Sequence, residues 1–307
     1  PAMILTYNIA GTLEFAQSGV FGSGISQPMA TVLFLVFLFG FAKAAVFPLH
    51  GWLPAAMVAP TPVSALLHAV AVVKVGAFSI VRVVTGIFGF DLLASFNLGY
   101  VIALIASVTI ILGSLVALSQ DELKRRLAFS TVSQLSYIVL GVGLLTPYGL
   151  VGGVLHIVMH ALGKITLFFC AGAIMVATGK KHISEMDGIG KTMPWTMGAF
   201  FIGSLSIIGL PPCGGFISKW YLVLGTLQKQ SFLLMTVILA SSLLNAAYFL
   251  PIVYRAFFLE PKDPSLIPPS NIEPVRCVVP LVITGIGSIV LFFWPDVFIR
   301  LIEIANQ

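Results

Sequence analysis

Gly209-Leu210-Pro211-Pro212-Cys213-Gly214-Gly215-Phe216-Ile217-Ser218-Lys219 lies in the middle of an apolar segment running from about Trp195 to Leu227. The two prolines remove backbone donors and clash with the preceding turn, and the flanking glycines permit turns that other residues resist. A helix entering this stretch is therefore expected to break. If the segment crosses a bilayer, the freed backbone groups need protein or a wet cavity around them, because lipid offers no hydrogen bonds. Interrupted hydrophobic segments of this kind point to an ion or substrate site. The competing reading is a packed proline kink, which suits a single proline better than this cluster with Lys219 just beyond it.

Composition places the segment in a membrane. Of 307 residues, 58% are hydrophobic and 9% charged, against about 25% charged in soluble domains. The length accommodates roughly eight spans of about 20 residues with short loops. The formal charge of +5 is no nucleic-acid signal: basic loops are what membrane topology requires, and aromatic-basic interleaving is missing. Cys170, Cys213 and Cys277 are far apart in sequence and form no CxxC pair, so they read as packing residues rather than as a disulfide framework or a zinc or iron–sulfur site. The opening Pro1-Ala2-Met3-Ile4-Leu5-Thr6-Tyr7 resembles the tail of a helix already under way. It has neither the basic start nor the cleavage pattern of a signal peptide.

The fold expected is all-α, a polytopic transmembrane bundle of about eight spans with broken helices near Pro48 and Pro211-Pro212. The segments run approximately over 28–47, 61–84, 98–118, 127–145, 150–178, 195–227, 232–258 and 275–294. Residues 8–27 read as a leading loop. Residues 260–274, with Pro261, Pro264, Pro268, Pro269 and Pro274, read as a stiff surface linker. Alternate connections are basic: Lys124, Arg125 and Arg126, then Lys180, Lys181 and Lys191, then Arg255, Lys262 and Arg276. The opposite face offers only Arg82, Lys229 and Arg300. The positive-inside rule puts the basic face in the cytoplasm and the C-terminus on the outer side.

Lys43, Lys74, Lys164 and Lys219 lie inside these segments with no Asp or Glu in the same stretch. An ionisable group at bilayer depth costs roughly 2.5–3.5 kcal/mol on insertion scales and is tolerated mainly on ion or proton pathways. Snorkelling to the interface is the rival reading for Lys43 and Lys219. Lys74 is mid-segment, with His68 roughly 120° round the helix from it. His156, His160 and Lys164 recur at i, i+4 and i+8, which stacks them on one face. Histidine titrates near neutral pH, so such a stripe suits a proton relay. A metal pair and plain interhelical hydrogen bonding are its rivals, the first weakened by the adjacent cation and the lack of a carboxylate or thiolate. Ser130, Thr131, Ser133, Gln134, Ser136 and Tyr137 add a polar run just after Lys124, and Ser64, Thr166 and Ser218 lie near the lysines. All eleven acids fall in loops or at termini, so a carboxylate partner is expected from a neighbouring subunit or a missing part. No phosphate loop, dinucleotide fingerprint or nucleophile triad is present, and no cofactor is implied.

Several motifs in order carry a resemblance that covers nearly the whole chain. They are Gly40-Phe41-Ala42-Lys43, Pro48-Leu49-His50-Gly51-Trp52-Leu53-Pro54 and Pro60-Thr61-Pro62-Val63-Ser64-Ala65-Leu66-Leu67-His68. With them come Leu123-Lys124-Arg125-Arg126 through Ser133-Gln134, His160-Ala161-Leu162-Gly163-Lys164, and Gly209-Leu210-Pro211-Pro212 through Lys219. The chain resembles the proton-conducting subunits shared by respiratory complex I, membrane-bound hydrogenases and Mrp-type cation/proton antiporters, most of all the D-type component of Mrp antiporters. That resemblance implies two inverted repeats, each with a broken helix. It makes Lys43 the lysine of the first broken helix and Lys219 its counterpart. Lys164, His156, His160, His68 and Lys124 would belong to the polar axis between them. It also implies that the glutamate paired with Lys43 lies in about six N-terminal helices this chain lacks. Lysine at 219 departs from the branch that carries glutamate there.

The expectation is a single domain over residues 1–307, a proton-translocating or cation/proton-exchanging subunit with other membrane subunits as partners, in a prokaryotic cytoplasmic membrane. Its lysines would be gated by ion pairing and hydration, with protons, and sodium as a candidate, as cargo. A quinone-site component and a non-conducting scaffold are the alternatives.

Overall fold

The computed structural model describes residues 1–16, 18–22, 24–260 and 273–305. Most of the expected proline linker, including Pro261, Pro264, Pro268 and Pro269, lies outside the described residues. The chain is all-helical, and among the described residues extended pairing is limited to one isolated bridge between Glu122 and His182.

In chain order the helices are α1 (Ala2–Ala10), α2 (Gln27–Gly40), α3 (Trp52–Ala55), α4 (Thr61–Ala69), α5 (Val72–Val83), α6 (Phe90–Ser95) and α7 (Leu98–Ser119). There follow α8 (Leu123–Gly143), α9 (Pro147–Thr178), α10 (Ile189–Thr192), α11 (Pro194–Ile208), α12 (Gly214–Gln228), α13 (Phe232–Phe258), α14 (Val275–Phe293) and α15 (Asp296–Ala305). Among the described residues, five helical stretches are long and apolar enough to cross a membrane: 61–88, 98–119, 147–178, 232–258 and 275–293. Shorter apolar helices, α2 and α11, accompany them. Large apolar side chains such as Val32, Val108, Val176, Leu243 and Ile283 are exposed, the pattern of a surface bathed in lipid.

Local chemistry sets the ends of these helices. Thr146 caps α9 by accepting a bond from the Gly149 amide, Pro147 occupies the first turn where no donor is missed, and Gly179 closes the helix at φ 72°. Arg126 donates to the Gln120, Leu118 and Tyr248 carbonyls, satisfying the end of α7 and tying it to α13. Helices α8 and α9 form the centre. Nearly every residue from Ser130 to Gly143 is buried. A Cβ on Gly141 would meet the Gly149 carbonyl at 2.6 Å, so small residues let the two backbones close on each other.

Several boundaries differ from the sequence expectation. The first segment stops being α-helical at Gly40, and Lys43 lies within the break, on a 3-10 turn over Ala42–Ala44. Pro48 directly restricts only Phe47; the rest of the break is held by close packing of the Lys43–Ala44 backbone on Gly76 of α5 and by the Phe47 amide bonded to Thr109 of α7. The expected single helix over 61–84 is interrupted at Val70–Ala71, where the amides of both residues bond the Leu66 carbonyl. No proline or glycine marks this wide turn. Helix α8 begins at Leu123, which puts Lys124 in its first turn rather than in the preceding loop. The leading loop is shorter than expected because α1 continues to Ala10. Asp91, Asp296 and Glu303 lie on the short helices α6 and α15, outside the five long apolar stretches.

Candidate functional site

The histidine stripe predicted on α9 is buried against three other helices, α5, α8 and α12. Lys74 Nζ of α5 sits 2.7 Å from His160 Nδ1. One turn away, the His156 ring lies 5.7 Å from the His160 ring, centroid to centroid. His156 Nδ1 is 2.8 Å from Ser218 Oγ, the neighbour of Lys219 on α12, and its Nε2 is 3.1 Å from Gln134 Oε1 on α8. The break at Val70–Ala71 resets the direction of α5, and Lys74 rather than His68 meets the stripe.

Lys164, the third member of the stripe, is fully enclosed and donates to the Leu127 carbonyl at 2.9 Å and to Ser130 Oγ at 2.8 Å. Ser130 Oγ is 3.0 Å from the Tyr248 hydroxyl, which also hydrogen-bonds Asn245 Oδ1. Lys219 donates to the Ile207 and Ile208 carbonyls at 2.9 Å each and to Ser242 Oγ at 3.2 Å. Those carbonyls end α11, on the far side of the Pro211-Pro212 break. Its ammonium thus occupies the acceptors the break leaves free. Asn245 Nδ2 reaches the same Ile207 carbonyl at 3.5 Å.

The remaining predicted residues stand apart. His68 is buried, its ring tilted against Phe168 with centroids 4.9 Å apart, and neither of its nitrogens has a protein partner. Lys124 donates to the Met57 and Ala59 carbonyls at 2.9 and 2.7 Å, just before α4. Lys43 is exposed within the first break. Its backbone nonetheless lies hard against α5: a Cβ on Gly76 would come within 2.5 Å of the Lys43 carbonyl carbon and closer still to the Ala44 amide nitrogen. The Phe47 amide donates to Thr109 Oγ1 at 3.1 Å, which fastens the break to α7.

Three participating residues on α13 escaped the sequence reading, Ser242, Asn245 and Tyr248, with Ser241 beside them bonding Ser114 Oγ at 3.1 Å. Their signal was present, since 241, 245 and 248 follow helical spacing as a polar stripe in an otherwise apolar helix. Among the described residues no group of three or more His, Cys, Asp or Glu gathers to hold a metal. Both His156 nitrogens and His160 Nδ1 face hydrogen-bond partners instead.

The family model described as NADH:quinone oxidoreductase/Mrp antiporter, TM, matches residues 1–245. The chain belongs to that family. Among NADH:quinone oxidoreductase/Mrp antiporter proteins, it is 39% identical over 298 residues to the N subunit of NADH-quinone oxidoreductase from Desulforudis audaxviator, covering 93% of this chain and 59% of that protein. It is 33% identical over 304 residues to the D subunit of the Na(+)/H(+) antiporter from Alkalihalophilus pseudofirmus, covering 98% and 61%. Its fold matches a chain of the Mrp complex from a Dietzia species with TM-score 0.88 at 26% identity, over 99% of this chain and 64% of that one. The chain thus spans about three fifths of the length of these family members.

Proposed function

We propose that residues 1–307 form one proton-conducting transmembrane domain of a multisubunit membrane complex, moving protons alone or in exchange for another cation. The observation that carries this reading is the buried run Lys74, His160, His156 and Ser218, which ends beside Lys219. A proton on Lys74 can pass to His160 Nδ1 along a 2.7 Å contact, leaving neutral lysine and imidazolium. The imidazolium can then release the proton from Nε2 on the other side of the ring. Gln134 Nε2 and His160 Nε2 are buried without a protein partner. Leaving such a group dry costs about 1–3 kcal/mol, so hydration of this line is favourable and would complete a path for hopping. Ser130, Tyr248 and Asn245 extend the polar connection from Lys164 toward the carbonyl that also accepts from Lys219.

The same reading takes eight crossings of the bilayer, with the two broken helices as gates. It sets Lys43 against a carboxylate supplied from outside these residues, on another subunit or on preceding helices. The three basic connections are tied together on one face by Ser184 Oγ to Asp121 Oδ2 at 2.7 Å and Arg255 Nε to Asp187 Oδ1 at 2.7 Å. This supports a cytoplasmic placement for that face and an outer one for α15, in a prokaryotic cytoplasmic membrane.

The test is proton uptake in vesicles holding the intact complex. Lys43→Ala and Lys219→Ala should each abolish it while the subunits still co-purify. Undiminished uptake in both variants overturns the mechanism.

A further inference from the structure

A cavity of about 780 Å³ opens where α4, α8 and α9 end on the basic face. Lys124, Arg125, Lys180 and Lys181 contribute four cations to its wall, against the single carboxylate of Glu122. Its remaining wall includes the apolar side chains of Met57, Phe129, Ala171 and Met175. We propose that this cavity binds an anionic phospholipid, with the phosphodiester between the cations and the first part of the acyl chains along the apolar wall.

The cations do not come together by accident of sequence. They lie on two connections that the backbone latches to each other. The Leu123 amide donates to the Lys181 carbonyl at 3.0 Å, and the Ile183 amide donates to the Asp121 carbonyl at 2.8 Å. Ser184 Oγ completes the latch on Asp121. Rigid backbone pairing thus holds like charges side by side, an arrangement that repels itself until an anion arrives. Lys124 has its ammonium turned inward to the Met57 and Ala59 carbonyls. Arg125, Lys180 and Lys181 make no side-chain hydrogen bond among the described residues, which leaves them available for phosphate oxygens.

The apolar wall decides between a lipid and a soluble anion. Inorganic phosphate would use the cations and gain nothing from Met57, Phe129, Ala171 or Met175. A cavity of this volume is in the range for a drug-sized amphiphile rather than a small ion. Basic pockets between transmembrane helices at a membrane face suit lipid headgroups for the same reason. The site is separate from the Lys74–His160 run, and its occupancy is read without any transport assay. Failure of one proposal therefore leaves the other standing.

The experiment is a lipid titration followed by native mass spectrometry, on the delipidated protein purified with its accompanying subunits. Phosphatidylglycerol should bind at least about tenfold more tightly than phosphatidylcholine, and roughly 10 mM inorganic phosphate should not displace it. The triple variant Arg125→Gln, Lys180→Gln, Lys181→Gln should lose the preference for the anionic lipid. Met175→Trp, which fills the apolar side and leaves every charge in place, should weaken phosphatidylglycerol binding independently. An unchanged preference in the triple variant overturns the proposal. So does displacement by phosphate, which would mark a soluble-anion site, or equal binding of the two lipids by the unsubstituted protein.

Discussion

Lys74 Nζ and His160 Nδ1 meet at 2.7 Å, joining two helices across 86 residues of sequence, and His160 Nε2 has no protein partner. Two full positive charges at that separation, with no carboxylate in either helix, would repel strongly. The contact therefore accommodates at most one positive charge on the two groups together.

Replacing Lys74 with arginine separates charge from proton exchange. Guanidinium keeps the positive charge and can still donate to an imidazole, but it does not deprotonate under working conditions. Lys74→Arg is expected to reduce proton uptake at least about tenfold while the complex assembles normally. Uptake at the unsubstituted rate would show that no proton passes through position 74.

How much of this site could be read from sequence depends on what each feature rests on. The i, i+4, i+8 stripe of His156, His160 and Lys164 is a matter of helical geometry alone, and it appears on one buried face of α9. The Pro211-Pro212 interruption is local backbone chemistry, and it falls between α11 and α12 as expected. The wide turn at Val70–Ala71 has neither proline nor glycine and arises from how α4 and α5 pack on α9 and α8. Sequence periodicity cannot register that, so the partnership of Lys74 with His160 rather than with His68 was invisible. The extension of the first break back to Gly40 is hidden for a related reason, since apolar residues continue through Phe47 whether or not the backbone stays helical.

Lys43 lies within the first break and Lys219 on α12 just beyond the second, and the two differ in what they satisfy. Lys219→Ala leaves the Ile207 and Ile208 carbonyls without their main donor, a loss of about 1–3 kcal/mol for each buried acceptor left dry. Lys43 is exposed and its side chain makes no hydrogen bond among the described residues, so Lys43→Ala should change this domain's own stability by less than about 0.5 kcal/mol. Thermal unfolding of the two variants in detergent, with only this domain's cooperative transition followed, should therefore separate them by several degrees. Equal midpoints would mean that Lys219 does not hold the break closed.

Gly76 and Gly215 are where the breaks touch their neighbouring helices. A Cβ on Gly215 would overlap the Ser206 carbonyl oxygen, and one on Gly76 would press into the Ala44 nitrogen. In both cases the obstacle is backbone, which cannot swing aside as a side chain can. Gly215→Ala and Gly76→Ala should each cost about 1–3 kcal/mol or more through forced displacement. The yield of folded protein after a mild heat step should fall accordingly, with Gly215→Ala worse. Normal recovery of Gly215→Ala would mean that α11 and α12 do not close on each other at this point.

The latch beside the basic cavity carries its own pH dependence through Glu185. The His182 amide donates to Glu185 Oε2 at 3.0 Å and the Lys181 amide at 3.2 Å. These backbone bonds, that of His182 foremost, hold the carboxyl below its usual range. A depressed folded-state value means that the stabilisation is fully present above the unfolded carboxylate value, about 4.3. It is lost as pH falls through the lower folded value. Glu185→Ala should therefore speed amide exchange at Lys181 and His182 at neutral pH relative to the unsubstituted protein. The difference, corrected for intrinsic exchange, should shrink as the pH drops below the ordinary carboxylate range and vanish once Glu185 is protonated. A difference that persisted undiminished in acid would show that the carboxylate is not what orders these amides, and that the Leu123 and Ile183 backbone bonds hold the latch without it.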